Sequence, residues 1–208
     1  MPSAAFDAAI PFVLRWEGGY VDDRNDHGGV TNKGITQRVY DAFRAGQGLA
    51  VQDVSQIGDA QVMTIYETNY WRPPGCDLLP PSLDLVQLDT AVNMGPKRAV
   101  MFLQGCLGCT ADGSIGDQTE QAVRQCNAAG VIAAYCDKRE QFYQNLVSQE
   151  ADQAEFLKGW MNRLNALRAA AGVPGYAVSR AGVDFDDRDY IARVPDIGDG
   201  PTPVQPVR

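Results

Sequence analysis

A length of 208 residues sets the expectation of one domain with a tail, long enough to bury a sizeable core without metals or disulfides. An apolar share of 45% excludes a disordered chain. The 18 basic and 26 acidic residues leave a net charge of −8, which argues against nucleic acid and against an anionic membrane surface, because both partners need clustered Lys and Arg.

Residues 3–17 read as an amphipathic helix: Ser3 suits an N-cap, and Phe6, Ile10, Val13 and Leu14 recur at helical spacing. Pro11 inside that run predicts a kink or a later start, and Gly18-Gly19 stops it. Between Tyr20 and Thr36 the turn formers Asp22, Asp23, Asn25, Asp26, Gly28 and Gly29 break the pattern. Tyr20-Val21 and Val30-Thr31 are the short runs that would pair as a small hairpin. Thr36 suits the N-cap of a second helix carrying Val39, Tyr40 and Phe43 on one face.

Asp53 and Asp59 both look like helix starts, the second leading through Val62, Ile65, Tyr66 and Tyr70 to Pro73-Pro74. Residues 82 to about 104 form a strongly apolar helical region with a natural break at Gly95-Pro96, and Gly105 to Gly116 reads as a loop. Further helices are expected at about 117–129, 131–147 and 153–171. Past Gly172 the Pro, Gly and Asp content predicts a tail or linker. The fold class is mainly α (α+β), with a small β-hairpin after the first helix.

Five cysteines occur, an odd number that is not a disulfide framework. Cys106 and Cys109 make a single CxxC, and the only histidine, His27, is far from it. Free thiols are the expectation, with no metal and no cofactor. No run approaches the roughly 20 apolar residues that cross a bilayer, so no stable membrane insertion is expected. The opening Met1-Pro2-Ser3-Ala4-Ala5-Phe6-Asp7 lacks the basic start and apolar core of a secretory signal.

Glu17 is the residue with the most chemistry. It ends an apolar helix, beside Trp16 and before two glycines. The negative end of the helix dipole and an aromatic neighbour both disfavour its charged form, which is what a general acid needs in order to hold a proton near neutral pH. The glycines leave that helix end open to an approaching sugar chain. A second carboxylate, as glycoside hydrolysis usually requires, is available from Asp22, Asp23 or Asp26. The plainer readings are a solvated helix end and an ordinary turn.

The run from Glu17-Gly-Gly-Tyr20 through Asp26-His-Gly-Gly-Val-Thr31-Asn-Lys-Gly34-Ile-Thr36 closely resembles the N-terminal signature of glycoside hydrolase family 108, a family of N-acetylmuramidases that includes phage endolysins and secretion activators. Asn93-Met-Gly95, Asp112-Gly-Ser-Ile-Gly116-Asp-Gln-Thr119 and Gly159-Trp160-Met-Asn162-Arg163 resemble the segment known in such proteins as a predicted peptidoglycan-binding domain. The resemblance runs to about residue 172. It implies a lysozyme-like helical globule, lysozyme chemistry on the β-1,4 bond between N-acetylmuramic acid and N-acetylglucosamine, and Glu17 as the catalytic acid. In the neighbouring phage-type lysozymes an Asp stands nine residues after the Glu and a Thr six further on. Asp26 meets the first spacing, with Asp22 and Asp23 still open. The second spacing falls on Asn32, so the water-positioning hydroxyl is Thr31 or Thr36.

The implied organisation is a catalytic segment over 1–82, a helical peptidoglycan-binding-like segment over 83–172 packed into the same globule, and an extended tail over 173–208. Tyr20, Tyr70 and Trp71 could stack on sugar rings, or pack in the core in the case of the last two. Asn32 is a candidate substrate contact, and Asn93 could hydrogen-bond an N-acetyl group or cap a helix. Trp160 reads as core and Asp112 to Gly116 as a turn or a sugar loop. The expected partner is the glycan strand of peptidoglycan, bound by a monomer. Competing functions are a chitin- or chitosan-cleaving enzyme and a cell-wall-binding protein without turnover. The expected setting is a cytoplasmic product, phage or prophage in type, that reaches the cell wall through a holin pore. A bacterial protein exported by a non-classical route fits equally.

Overall fold

The computed structural model describes residues 3–18 and 30–174. Helix α1, Ala4–Trp16, is capped by the Ser3 hydroxyl, which accepts from the Phe6 N–H at 3.2 Å. It runs through Pro11, which lies on the exposed face. The backbone bond that proline cannot donate is therefore missing on the water side, where solvent can replace it. The opposite face buries Phe6, Ile10, Phe12, Val13 and Trp16.

A two-stranded antiparallel hairpin follows, with β1 at Thr31–Asn32 and β2 at Ile35–Thr36. Thr31 pairs with Thr36 and Asn32 with Ile35, a pairing the sequence pattern does not single out. Tyr20-Val21 lie outside the described residues. The two turn residues, Lys33 and Gly34, both have positive φ, at 52° and 75°. A tight hairpin requires that backbone geometry to match strand twist, and it is costly for a lysine. Thr36 then caps α2, Gln37–Gly46, its hydroxyl accepting from the Val39 N–H at 3.3 Å.

Asp53 caps only a short 3-10 turn, Val54–Gln56. Helix α3, Asp59–Tyr66, continues into a π-helical turn over Glu67–Trp71 that swings Tyr70 and Trp71 into the core. The apolar region breaks at Gly95, whose φ of 87° suits glycine, into α4, Leu83–Met94, and α5, Pro96–Leu107. Helix α5 thus reaches into the segment expected to be a loop. Helices α6, Asp117–Gln125, α7, Ala128–Gln149, and α8, Ala154–Ala170, complete the described chain.

Helix α4 is the axis of the molecule. It packs against α1, α5 and α7, and every residue from Val86 to Met94 is buried. One hydrophobic core reaches from Phe6 on α1 to Leu167 on α8. Across it, the Tyr135 hydroxyl on α7 lies 2.7 Å from both Gln87 Oε1 on α4 and the Ala99 carbonyl on α5. Among the described residues no helix is long and apolar enough to cross a membrane.

Candidate active site

Glu17 is the C-cap of α1, its N–H bonded to the Val13 carbonyl at 3.2 Å. Its side chain is only 2% exposed. Oε1 accepts a 2.7 Å hydrogen bond from Arg163 Nη1 on α8, and Oε2 is buried without a hydrogen-bond partner among the described residues. Burial pushes the carboxyl pKa up, the charge and hydrogen bond of Arg163 pull against it, and the nearby negative charge of Asp89 adds to the rise. The direction matches the sequence reading, and its largest cause is removal from water. One oxygen is thus fixed by a cation, and the other is the one placed to carry a proton.

Behind Arg163 lies a chain of buried polar groups. Arg163 Nε donates to Asp89 Oδ1 at 2.7 Å, and Nη2 sits at the same distance from that oxygen. Asp89 Oδ2 accepts from Arg139 Nη1 at 2.6 Å. Arg139 Nε donates to the Tyr143 hydroxyl at 2.9 Å, and Tyr143 donates in turn to Asn93 Oδ1 at 2.6 Å. Burial works against ionisation of Asp89, but the two arginines override it and hold its carboxyl below the usual range. A carboxylate in this position is stable only because both its oxygens meet cations.

The hairpin is tied to the same place through α3. The Tyr66 hydroxyl donates to the Lys33 carbonyl at 3.1 Å, and the Lys33 ammonium pairs with Asp59. These two contacts hold the lysine in its positive-φ turn. Burial raises the Tyr66 pKa well above its ordinary value, with the Glu17 charge the next cause.

The other candidates fall as follows. Thr31 and Thr36 form the closing pair of the hairpin, both buried, with Thr36 engaged as the α2 cap. Asn32 is buried and donates to the carbonyls of Val54 and Ser55 at 3.1 and 3.3 Å, a link between hairpin and loop. Asn93 is buried and serves as the acceptor for Tyr143. Tyr70 and Trp71 are core residues, and the Trp71 ring meets Phe6 edge-on at 5.4 Å, so neither ring offers an exposed face to a sugar. Trp160 is wholly buried and stacks on Tyr143 at 5.0 Å. Tyr20, Asp22, Asp23, Asp26 and His27 lie outside the described residues.

The Asp112 to Gly116 stretch is a pinned turn: Gln104 donates to Asp112 Oδ1 at 2.8 Å and accepts from the Gly113 N–H at 2.9 Å. A side chain at Gly113 would meet Lys97 Cγ at 2.7 Å. All five cysteines are free thiols, with Cys76 and Cys136 buried and the latter pushed up to about 11 by burial. Sequence reading missed Asp89, Arg139, Tyr143, Arg163 and Tyr66. The available signal was ionic residues inside apolar helical periodicity, with Asp89 four residues before Asn93 and Arg139 four before Tyr143.

The family model of glycosyl hydrolase 108 matches residues 10–95, and that of a predicted peptidoglycan domain matches residues 98–165. The structure of Brucella abortus SagA is 35% identical, with a TM-score of 0.66 over 85% of this chain and 98% of that one. The chain belongs to glycoside hydrolase family 108. Family 108 membership and the peptidoglycan domain make it a peptidoglycan hydrolase, and the mainly helical architecture with one small hairpin is lysozyme-like. No curated protein matches the chain.

Proposed function

We propose that this family 108 enzyme is an N-acetylmuramidase, cleaving the β-1,4 bond between N-acetylmuramic acid and N-acetylglucosamine with Glu17 as general acid. The observation that carries the reading is the asymmetric environment of Glu17: Oε1 held by Arg163 at 2.7 Å and Oε2 buried without a hydrogen-bond partner among the described residues. The protonated form keeps the Arg163 bond on Oε1 and presents Oε2–H as a donor to the glycosidic oxygen. A carboxyl made less acidic by burial holds that proton closer to neutral pH than a solvated one does.

Asp26 is the proposed second carboxylate, on its spacing from Glu17, and it stabilises the oxocarbenium ion or activates water. Thr31 or Thr36 positions that water. The proposed setting is a phage or prophage endolysin that acts in the cell wall, released there through a holin pore. Purified peptidoglycan digested with the enzyme and analysed by mass spectrometry tests the bond assignment. Fragments with N-acetylmuramic acid at the reducing end are expected. Reducing N-acetylglucosamine ends, or cut peptides with intact glycan, would overturn it.

A further inference from the structure

We infer that Asp89 and Arg139 are positioning residues that set the orientation and acidity of Glu17 through Arg163, so that the segment matching the peptidoglycan domain is part of the catalytic machinery. The inference rests on Glu17 as the acid.

Four charged side chains from four helices form one buried series: Glu17 at the end of α1, Arg163 on α8, Asp89 on α4 and Arg139 on α7. Every side chain in it is 2% exposed or less. A guanidinium with no other partner would turn its two-pronged edge on the Glu17 carboxylate and engage both oxygens. Asp89 prevents this. It holds Nε by a hydrogen bond and Nη2 by an ion-pair contact at 2.7 Å, which turns Nη1 toward Glu17. That one-point contact is why Arg163 leaves Oε2 unengaged.

Arg139 makes the arrangement tenable. Without it, the second oxygen of a fully buried Asp89 would lack a cation. With it, Asp89 remains ionised. Tyr143 and Thr90 fix Arg139 in turn, at 2.9 Å from Nε and 3.3 Å from Nη1. Asp89 also keeps a negative charge near Glu17, which favours the protonated acid. Counted with Glu17 ionised, the series is neutral. Asp89 acts on Glu17 directly while Arg139 stands behind it, so removing the pair takes away more negative than positive field at Glu17 and favours loss of its proton.

Among the described residues, the titratable and charged groups around Glu17 are Arg163 from α8, Asp89 from α4, and Tyr66, with Tyr70 behind it, from α3 and the π-helical turn; Arg139 and Tyr143 stand behind Asp89 on α7. Tyr66 stays neutral across the working range, because burial raises its pKa well above its ordinary value. Asp89 is the remaining acid in the set.

The test is a carbon-13 titration of the Glu17 carboxyl, read beside kcat and KM on soluble peptidoglycan fragments. It compares the wild type with the double variant Asp89→Asn, Arg139→Gln, which removes one charge of each sign. The Glu17 titration, and with it the alkaline limb of the rate profile, should move down by about one pH unit. The rate constant kcat should fall while KM holds. A folded double variant that titrates as the wild type does would overturn the inference. Asp89→Glu keeps the charge and displaces the carboxylate by one methylene, so it serves if the double variant does not fold. A kcat per folded molecule equal to wild type in Asp89→Glu would also overturn it. The titration is independent of turnover: inactivity toward peptidoglycan counts against the muramidase reading, and an unshifted Glu17 counts against the positioning role.

Discussion

Residues 10–95, which match the hydrolase family, supply Glu17, Asp89 and Asn93; residues 98–165, which match the peptidoglycan domain, supply Arg139, Tyr143 and Arg163. The first region carries the acids and the second the bases, and they meet in one buried series. A boundary drawn by sequence similarity therefore cuts through a physical unit. Each region taken alone would bury uncompensated charge, which costs several kcal/mol per ion. The two regions also share one hydrophobic core through α4, so the chemistry of the first half depends on packing by the second.

The largest expected effect separates the regions by role. Glu17→Gln should abolish release of reducing ends from peptidoglycan and leave the circular dichroism spectrum unchanged, because the amide keeps an acceptor for Arg163 but holds no transferable proton. Its stability curve against pH should differ as well. The wild-type carboxyl has a folded pKa above the ordinary carboxyl value of 4.5, so its contribution is full below that pH and is lost as pH rises through the folded value. The Gln variant lacks that decline, and parallel curves for the two proteins would contradict the raised acidity of Glu17.

Arg163→Met strikes the junction from the other side. It leaves Glu17 and half of Asp89 without a cation, and urea denaturation should show a loss of about 3–5 kcal/mol. A loss below about 1 kcal/mol would mean that the two regions are coupled by packing alone. The smallest effect lies within the first region: Thr36→Ala removes the α2 cap and should cost about 1 kcal/mol in the same measurement. Since Thr36 is also a candidate for positioning water, a fall in kcat much larger than that free energy explains would assign it a second role.

Local features were legible without coordinates. The Ser3 and Thr36 caps, the break at Gly95-Pro96 and the placement of the last three helices to within a few residues follow from signals a few positions apart. The hairpin register was not, because Lys33 is a poor residue for a positive-φ turn and is held there by Tyr66 and Asp59, 33 and 26 residues away. For Tyr70 and Trp71 the sequence offered both a sugar platform and core packing, and their burial beside the π-helical turn decides for the core.

By itself the sequence determined a mainly helical chain with a small β element and an acid at the end of the first helix. Caps, glycine breaks and apolar periodicity act over a few residues and are written locally. Only the tertiary structure decided why that acid is weak and what holds it. Its cation lies 146 residues away, and the carboxylate that orients that cation is 74 residues from it. Such pairings exist only once α1, α4, α7 and α8 have come together and excluded the water that would otherwise solvate each charge separately.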